Sequence, residues 1–145
     1  QSMEKNAQWR FTPPTHVLAA FEQALIEHEE EGGVEGRGAR YRENCEVLMQ
    51  GMIELGFKPF LPPDLQAPII LTFYSPADEN FDFGVFYQAL GQDGYLIYPG
   101  KLTEKSSFRI GCIGQVGPEQ MREVLKIIRT TLKKMGVINC SPKLD

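Results

Sequence analysis

Cysteine, histidine and tryptophan are scarce in this chain, at three, two and one among 145 residues. Cys45, Cys112 and Cys140 are odd in number, far apart, and without the close spacing of a zinc site or a redox pair, so a reducing compartment fits best. Positive charge is not in excess: the formal net charge is −4, and Lys and Arg are scattered rather than gathered into the basic stripe that a nucleic-acid partner requires. No apolar run approaches the ~20 residues that span a bilayer, and the polar start Gln1-Ser2-Met3-Glu4-Lys5-Asn6 has no signal-peptide core. These absences point to a soluble cytoplasmic protein with neither a membrane nor a nucleic acid as partner. Internal repeats and low-complexity segments are also missing.

What is present suits one globular domain with a real core, since 42% of the residues are hydrophobic and 23% charged. Gln1-Ser2 reads as a tag remnant, residues 1–8 as a flexible arm, and residues 9–145 as the domain. Pro13-Pro14 suits the first turn of a helix, and Val17, Leu18, Phe21, Ala24 and Leu25 recur at helical spacing as a core-facing stripe that Gly32-Gly33 ends. The acidic end of that helix, Glu27 to Glu31, opposes the macrodipole and calls for cations such as Arg37, Arg40 and Arg42. A second helix is predicted from about Gly38 to Leu55, with Tyr41, Cys45, Leu48, Met49 and Met52 inward and Gly56 as its cap.

The period changes at Phe57. Phe57 to Leu61 reads as a short edge strand interrupted by Pro59, able to pair with the stronger strand Ile69 to Tyr74. Asn80 or Asp82 can cap a helix containing Phe83, Phe86, Tyr87 and Leu90, followed by the strand Tyr95 to Tyr98. A strand around Arg109 comes next, and Gly117-Pro118 opens a last helix with Met121, Val124, Leu125, Ile128, Leu132 and Met135 on its buried stripe. The expected class is α+β: two N-terminal helices, then a mostly antiparallel small sheet with helices packed on one face.

Most chemical motifs fail on inspection. The glycines of Glu31-Gly32-Gly33-Val34-Glu35-Gly36-Arg37-Gly38 follow a helix rather than a strand and lack Gly-Lys-Ser/Thr, so they read as a helix–helix linker. His28 and Glu31 share a helix face but have no second cluster to complete a metal site, and His16 has no nucleophile spaced to use it. Cys112 alternates with Phe108 and Ile110 onto an apolar face, as a buried small hydrophobe would.

Two residues survive. In Ser106-Ser107-Phe108-Arg109-Ile110-Gly111-Cys112-Ile113-Gly114, alternation puts Arg109, Gly111 and Ile113 on one face, with Gly111 leaving space beside a guanidinium whose planar fork matches a carboxylate, phosphate or phosphonate. The plain alternative is an arginine reaching from an edge strand to solvent or to a Glu. Thr12 lies just ahead of a helix N-terminus, a place that favours anions.

Trp9-Arg10-Phe11-Thr12-Pro13-Pro14-Thr15-His16-Val17, Gly36-Arg37-Gly38-Ala39-Arg40-Tyr41, Ile97-Tyr98-Pro99-Gly100-Lys101 and the Phe108 to Gly114 segment, in this order, closely resemble the C-terminal part of the 2-aminoethylphosphonate:pyruvate aminotransferases, class V aminotransferases of fold type I. The resemblance implies a homodimer with pyridoxal phosphate that moves an amino group from 2-aminoethylphosphonate to pyruvate, giving phosphonoacetaldehyde and alanine. It implies that Arg109 grips the phosphonate or carboxylate of the substrate, and that Thr12 donates to the phosphate of the partner subunit's cofactor. The family's cofactor-binding lysine and its aspartate at the pyridinium nitrogen lie in the large domain, upstream of the matched part. None of Lys5, Lys58, Lys101, Lys105, Lys126, Lys133, Lys134 or Lys143 sits where that lysine would. These residues alone are therefore expected to be inactive and to contribute no catalytic group. A non-catalytic α+β module binding an anionic effector through Arg109 is the competing reading, and an interaction domain presenting Trp9 and Phe11 is a third.

Overall fold

The computed structural model describes residues 7, 9, 11–100 and 104–143, so nearly all of the expected arm 1–8 lies outside it. The chain divides into two compact units, with the boundary between Gly38 and Ala39.

In the first unit, helix α1 (Thr15–Glu30) starts directly after Pro14 and ends at Glu31. The expected core-facing stripe is overturned: α1 has no buried residue, and Val17, Leu18, Phe21 and Leu25 are all exposed. Helical periodicity shows that a face is apolar but not what covers it. Helix α2 (Gly33–Glu54) begins five residues before the predicted start, so the supposed linker shrinks to the turn at Glu31 and Gly32. A Cβ on Gly36 would collide with the Glu31 carbonyl, so glycine here permits a close approach rather than marking a loop. Among the three arginines expected to relieve the acidic helix end, Arg37 does so, with its Nε 2.6 Å from the Glu31 carboxylate.

In the second unit, strands β1 (Ile70–Tyr74), β2 (Tyr98–Pro99) and β3 (Ser107–Gly111) form an antiparallel sheet in the order β1-β3-β2. The register sets Thr72 opposite Arg109 and Phe73 opposite Phe108 on one side, and Tyr98 opposite Arg109 on the other. The segment expected as an edge strand does run along β1, but only as a bridge between Pro59 and Phe73, because proline has no amide to continue the ladder. The predicted strand Tyr95 to Tyr98 is reduced to Tyr98–Pro99.

Helix α3 (Phe83–Gln92) is capped by the Asp82 carboxylate, which accepts from the Val85 amide at 2.8 Å. Helix α4 (Pro118–Met135) has proline in its first turn, a Gln120 side chain accepting from the Gly117 amide at 2.9 Å, and a left-handed Gly136 as its stop. Met121, Val124, Ile128 and Leu132 of α4, Phe86 and Leu90 of α3, and Leu48 and Met52 of α2 bury against Leu71, Phe73, Phe108 and Ile110 of the sheet. The result is the expected α+β arrangement.

After α4 the chain is fastened by Asp78, whose carboxylate accepts from the amides of Ile138 (2.9 Å), Asn139 (3.1 Å) and Asn80 (3.0 Å). These donors favour the charged form and hold the Asp78 carboxyl below its usual 3.8. A carboxyl depressed on folding adds stability above its ordinary value, and that contribution disappears as pH falls through the folded value. Melting temperature should therefore drop on acidification below 3.8 more steeply in the wild type than in Asp78→Asn, and the two acid limbs should converge. Parallel limbs in a thermal titration would remove Asp78 as the cause.

Candidate functional site

Arg109 lies on β3, the central strand, and not at the sheet edge that the surface-arginine reading requires. Its neighbours Phe108 and Ile110 are buried, while Arg109 is half-buried on the other face with Gly111, and Ile113 beyond them is exposed. The expected alternation holds. One guanidinium nitrogen, Nη2, donates to the Pro99 carbonyl at 3.1 Å. Nε is shielded from solvent and has no acceptor among the described residues. A buried donor without an acceptor loses its water and regains nothing, at a cost of ~1–3 kcal/mol, more when charged.

Two glycines shape the surroundings of this cation. A Cβ built on Gly111 meets nothing within 4 Å, so the sheet face is open at this position, two residues along β3 from Arg109. Gly100 is the reverse case: its amide donates to the Ser107 carbonyl at 2.9 Å, and an added Cβ would strike the Ser107 hydroxyl and lie 2.7 Å from that carbonyl. Only glycine lets β2 close onto β3 here, and that closure brings the Pro99 carbonyl within reach of Arg109.

The loop that follows β3 is tied from α2. The Arg40 Nη1 donates to the carbonyls of Gly114 (2.6 Å) and Val116 (2.7 Å), and the buried Asn44 amide donates to those of Cys112 and Val116, each at 3.0 Å. Neither role is legible in the sequence, where Arg40 reads as a partner for the acidic end of α1 and Asn44 as one more helical polar residue. A polar residue at a position that continues the Leu48 and Met52 stripe backwards by one turn is the only local signal of its burial.

Thr12 belongs to the first unit and is exposed ahead of α1, whose start carries no side-chain cap. Its hydroxyl is thus accessible as a donor. His16 is exposed, and His28 is half-buried with its Nδ1 unpartnered among the described residues. Glu31 is engaged with Arg37. The described lysines, Lys58, Lys105, Lys126, Lys133, Lys134 and Lys143, are all exposed, while Lys5 and Lys101 lie outside the described residues. No described helix is long and apolar enough to cross a membrane.

Comparison with known proteins adds the following. No family model matches the chain. It is 56% identical over 135 residues to 2-aminoethylphosphonate–pyruvate transaminase 1 of Cupriavidus pinatubonensis, covering 93% of this chain and 36% of that protein. It is 50% identical over 137 residues to the 2-aminoethylphosphonate–pyruvate transaminase of Pseudomonas fluorescens, covering 94% and 37%. The chain thus spans about a third of the length of the curated relatives it matches. Among solved structures, phosphoserine aminotransferase from Bacillus circulans superposes with a TM-score of 0.75 at 18% identity, over 92% of this chain and 37% of that one. An aspartate aminotransferase from Thermus thermophilus does so with a TM-score of 0.66 at 22% identity, over the same shares. At such identities the likeness is one of fold: the chain has the fold of part of an aminotransferase.

The geometry predicts opposite outcomes for two alanine substitutions. Gly111→Ala enters open space and should leave stability unchanged within about 0.5 kcal/mol, whereas Gly100→Ala should cost roughly 1–3 kcal/mol through overpacking. Equal losses in urea denaturation would contradict the space assigned to Gly111.

Proposed function

We propose that these residues form part of a pyridoxal phosphate-dependent aminotransferase that transfers the amino group of 2-aminoethylphosphonate to pyruvate, working in the cytoplasm as a homodimer. The observation that carries this reading is Arg109: a half-buried cation on the central strand, two residues from the open face at Gly111, with a shielded donor that lacks an acceptor among the described residues. The 56% identity to a relative named for that reaction supports the substrate pair, and three free thiols suit a reducing cytoplasm.

In this reading Arg109 binds the phosphonate of the amino donor and the carboxylate of pyruvate in turn, since both are dianionic or anionic groups that accept two parallel hydrogen bonds from a guanidinium. Its bond to Pro99 fixes the plane of the fork, which orients the substrate. Thr12, exposed and uncapped, donates to the phosphate of the partner subunit's cofactor. Pyridoxal phosphate, when bound, supplies the electron sink that acidifies the amino-bearing carbon. The exposed lysines of this chain suit neither covalent attachment of that group nor a lowered amine pKa, so its anchor belongs to the rest of the longer protein. The exposed apolar stripe of α1 fits a surface that is covered in that larger assembly. An effector-binding module would use the same arginine without chemistry, but it offers no reason for the extended identity to transaminases.

Two measurements test the proposal. In the full-length protein, Arg109→Ala should lower kcat/KM for both substrates by about 10- to 150-fold, the equivalent of roughly 1.5–3 kcal/mol for a charged hydrogen-bonded contact. An unchanged kcat/KM would return Arg109 to the surface. The 145-residue chain alone, supplied with pyridoxal phosphate, 2-aminoethylphosphonate and pyruvate, should produce no alanine; steady production would refute the division of labour between this part and the rest.

A further inference from the structure

Arg109 has a cross-strand partner on each side: Thr72 on β1 and Tyr98 on β2. Residues directly opposite one another in antiparallel strands share a face, with Cβ atoms about 4.5–5.5 Å apart, so the three side chains leave the sheet together. The guanidinium leans towards β2, because its Nη2 donates at 3.1 Å to the carbonyl of Pro99, the residue after Tyr98. Tyr98 is thus the neighbour on the side to which the charge turns, and Thr72 the one on the side it turns from. Tyr98 is 54% exposed, and its hydroxyl has no hydrogen-bond partner among the described residues.

The setting keeps that hydroxyl free. The β2–β3 ladder starts at Tyr98, and the residues before it part from β3, where a cavity of about 410 Å³ is lined by Leu96, Ile97, Tyr98, Gly111 and Ile113 among others. This lining is apolar and carries no carboxylate or amide side chain that could take up the Tyr98 hydroxyl. Its one other hydroxyl, that of Tyr95, already donates to the Glu123 carboxylate at 2.8 Å.

We propose that the Tyr98 hydroxyl is a further substrate-binding group, which donates to the third oxygen of a phosphonate whose other two oxygens are held by Arg109; this rests on the reading of Arg109 given above. The argument is one of shape. The N–H bonds of a guanidinium lie in its plane, so the fork engages two oxygens side by side. A carboxylate has only those two. A phosphonate is tetrahedral, and its third oxygen stands out of that plane, where Arg109 has no hydrogen to offer and where an acceptor stripped of water carries a penalty. A hydroxyl on the next strand, beside the fork, supplies the missing donor. Tyr98 in this way favours the amino donor: it serves the phosphonate and adds nothing for the carboxylate of pyruvate.

The test is Tyr98→Phe in the full-length protein, which keeps the ring and removes only the hydroxyl, measured beside Arg109→Ala. Loss of a hydrogen bond to a charged acceptor should lower kcat/KM for 2-aminoethylphosphonate about 10-fold or more, and at least about fivefold more than kcat/KM for pyruvate. Methylphosphonate and acetate, used as competitive inhibitors, give the same comparison without turnover of the probe: the first should bind about 10-fold more weakly to Tyr98→Phe and the second as before. Because both inhibitors meet the same variant, a general loss of folding or packing cancels in their ratio. Equal losses for both substrates or both inhibitors, or none for either, while Arg109→Ala impairs both substrates, would overturn the role of Tyr98 and leave that of Arg109 standing. If Arg109→Ala impairs neither substrate, the reading of Arg109 falls and the role of Tyr98 falls with it.

Discussion

One step along β3, from Phe108 to Arg109, organises the second unit. The Phe108 ring meets four others drawn from three separate segments: Phe57 and Phe86 with centroids at 5.6 Å, Phe73 at 6.0 Å and Phe83 at 6.2 Å. Each such pair adds about 0.5–1.5 kcal/mol beyond the burial of its area. Side chains alternate along a strand, so anchoring Phe108 inward leaves Arg109 no choice of face. A slip by one residue would expose the ring and drive a guanidinium into the hydrocarbon core, and the size of both penalties makes the register secure.

The parts of this fold that the sequence displays are those with a strong local cause. The α4 stripe, the Asp82 cap, the Pro118 start and the alternation through Phe108 to Cys112 all appear where periodicity and capping put them. Failures cluster where tertiary context overrides a local rule. Gly33, Gly36 and Gly38 look like a linker because glycine is a poor helix former, yet α2 runs through them, and at Gly36 the missing Cβ makes room for the Glu31 carbonyl. Tyr95 to Ile97 alternate like a strand, but only Tyr98 and Pro99 find a partner in β3. The α1 stripe is plain in the sequence and still exposed, because amphipathicity records that a partner surface exists without stating where that surface is encoded.

Of the candidate site, Arg109 and the vacancy at Gly111 were readable from a two-residue period. The rest of its frame was not, since it is assembled from pairings distant in sequence: Thr72 and Tyr98 opposite Arg109, the Pro99 carbonyl, and the Arg40 and Asn44 bonds that tie down the segment from Cys112 to Val116. Asn44 also carries the one buried amide oxygen left unpartnered among the described residues. That cost is accepted at a place where its Nδ2 makes two bonds at once, which suggests that holding α2 against the end of β3 outweighs satisfying every atom.

The partner that Arg109 has in the fold suits the anion-binding role proposed for it. A carboxylate beside it would satisfy the fork and cancel its charge, turning it into a closed ion pair of the kind Arg37 forms with Glu31. A backbone carbonyl does neither: it fixes the orientation through one Nη2 hydrogen and leaves the net charge intact. Half-burial then lowers the local dielectric, so an incoming anion gains more from this cation than from a solvated one. In the proposed reading the shielded Nε is a further donor for a bound acceptor, and the central strand, hydrogen-bonded along both edges, fixes the backbone from which the guanidinium reaches.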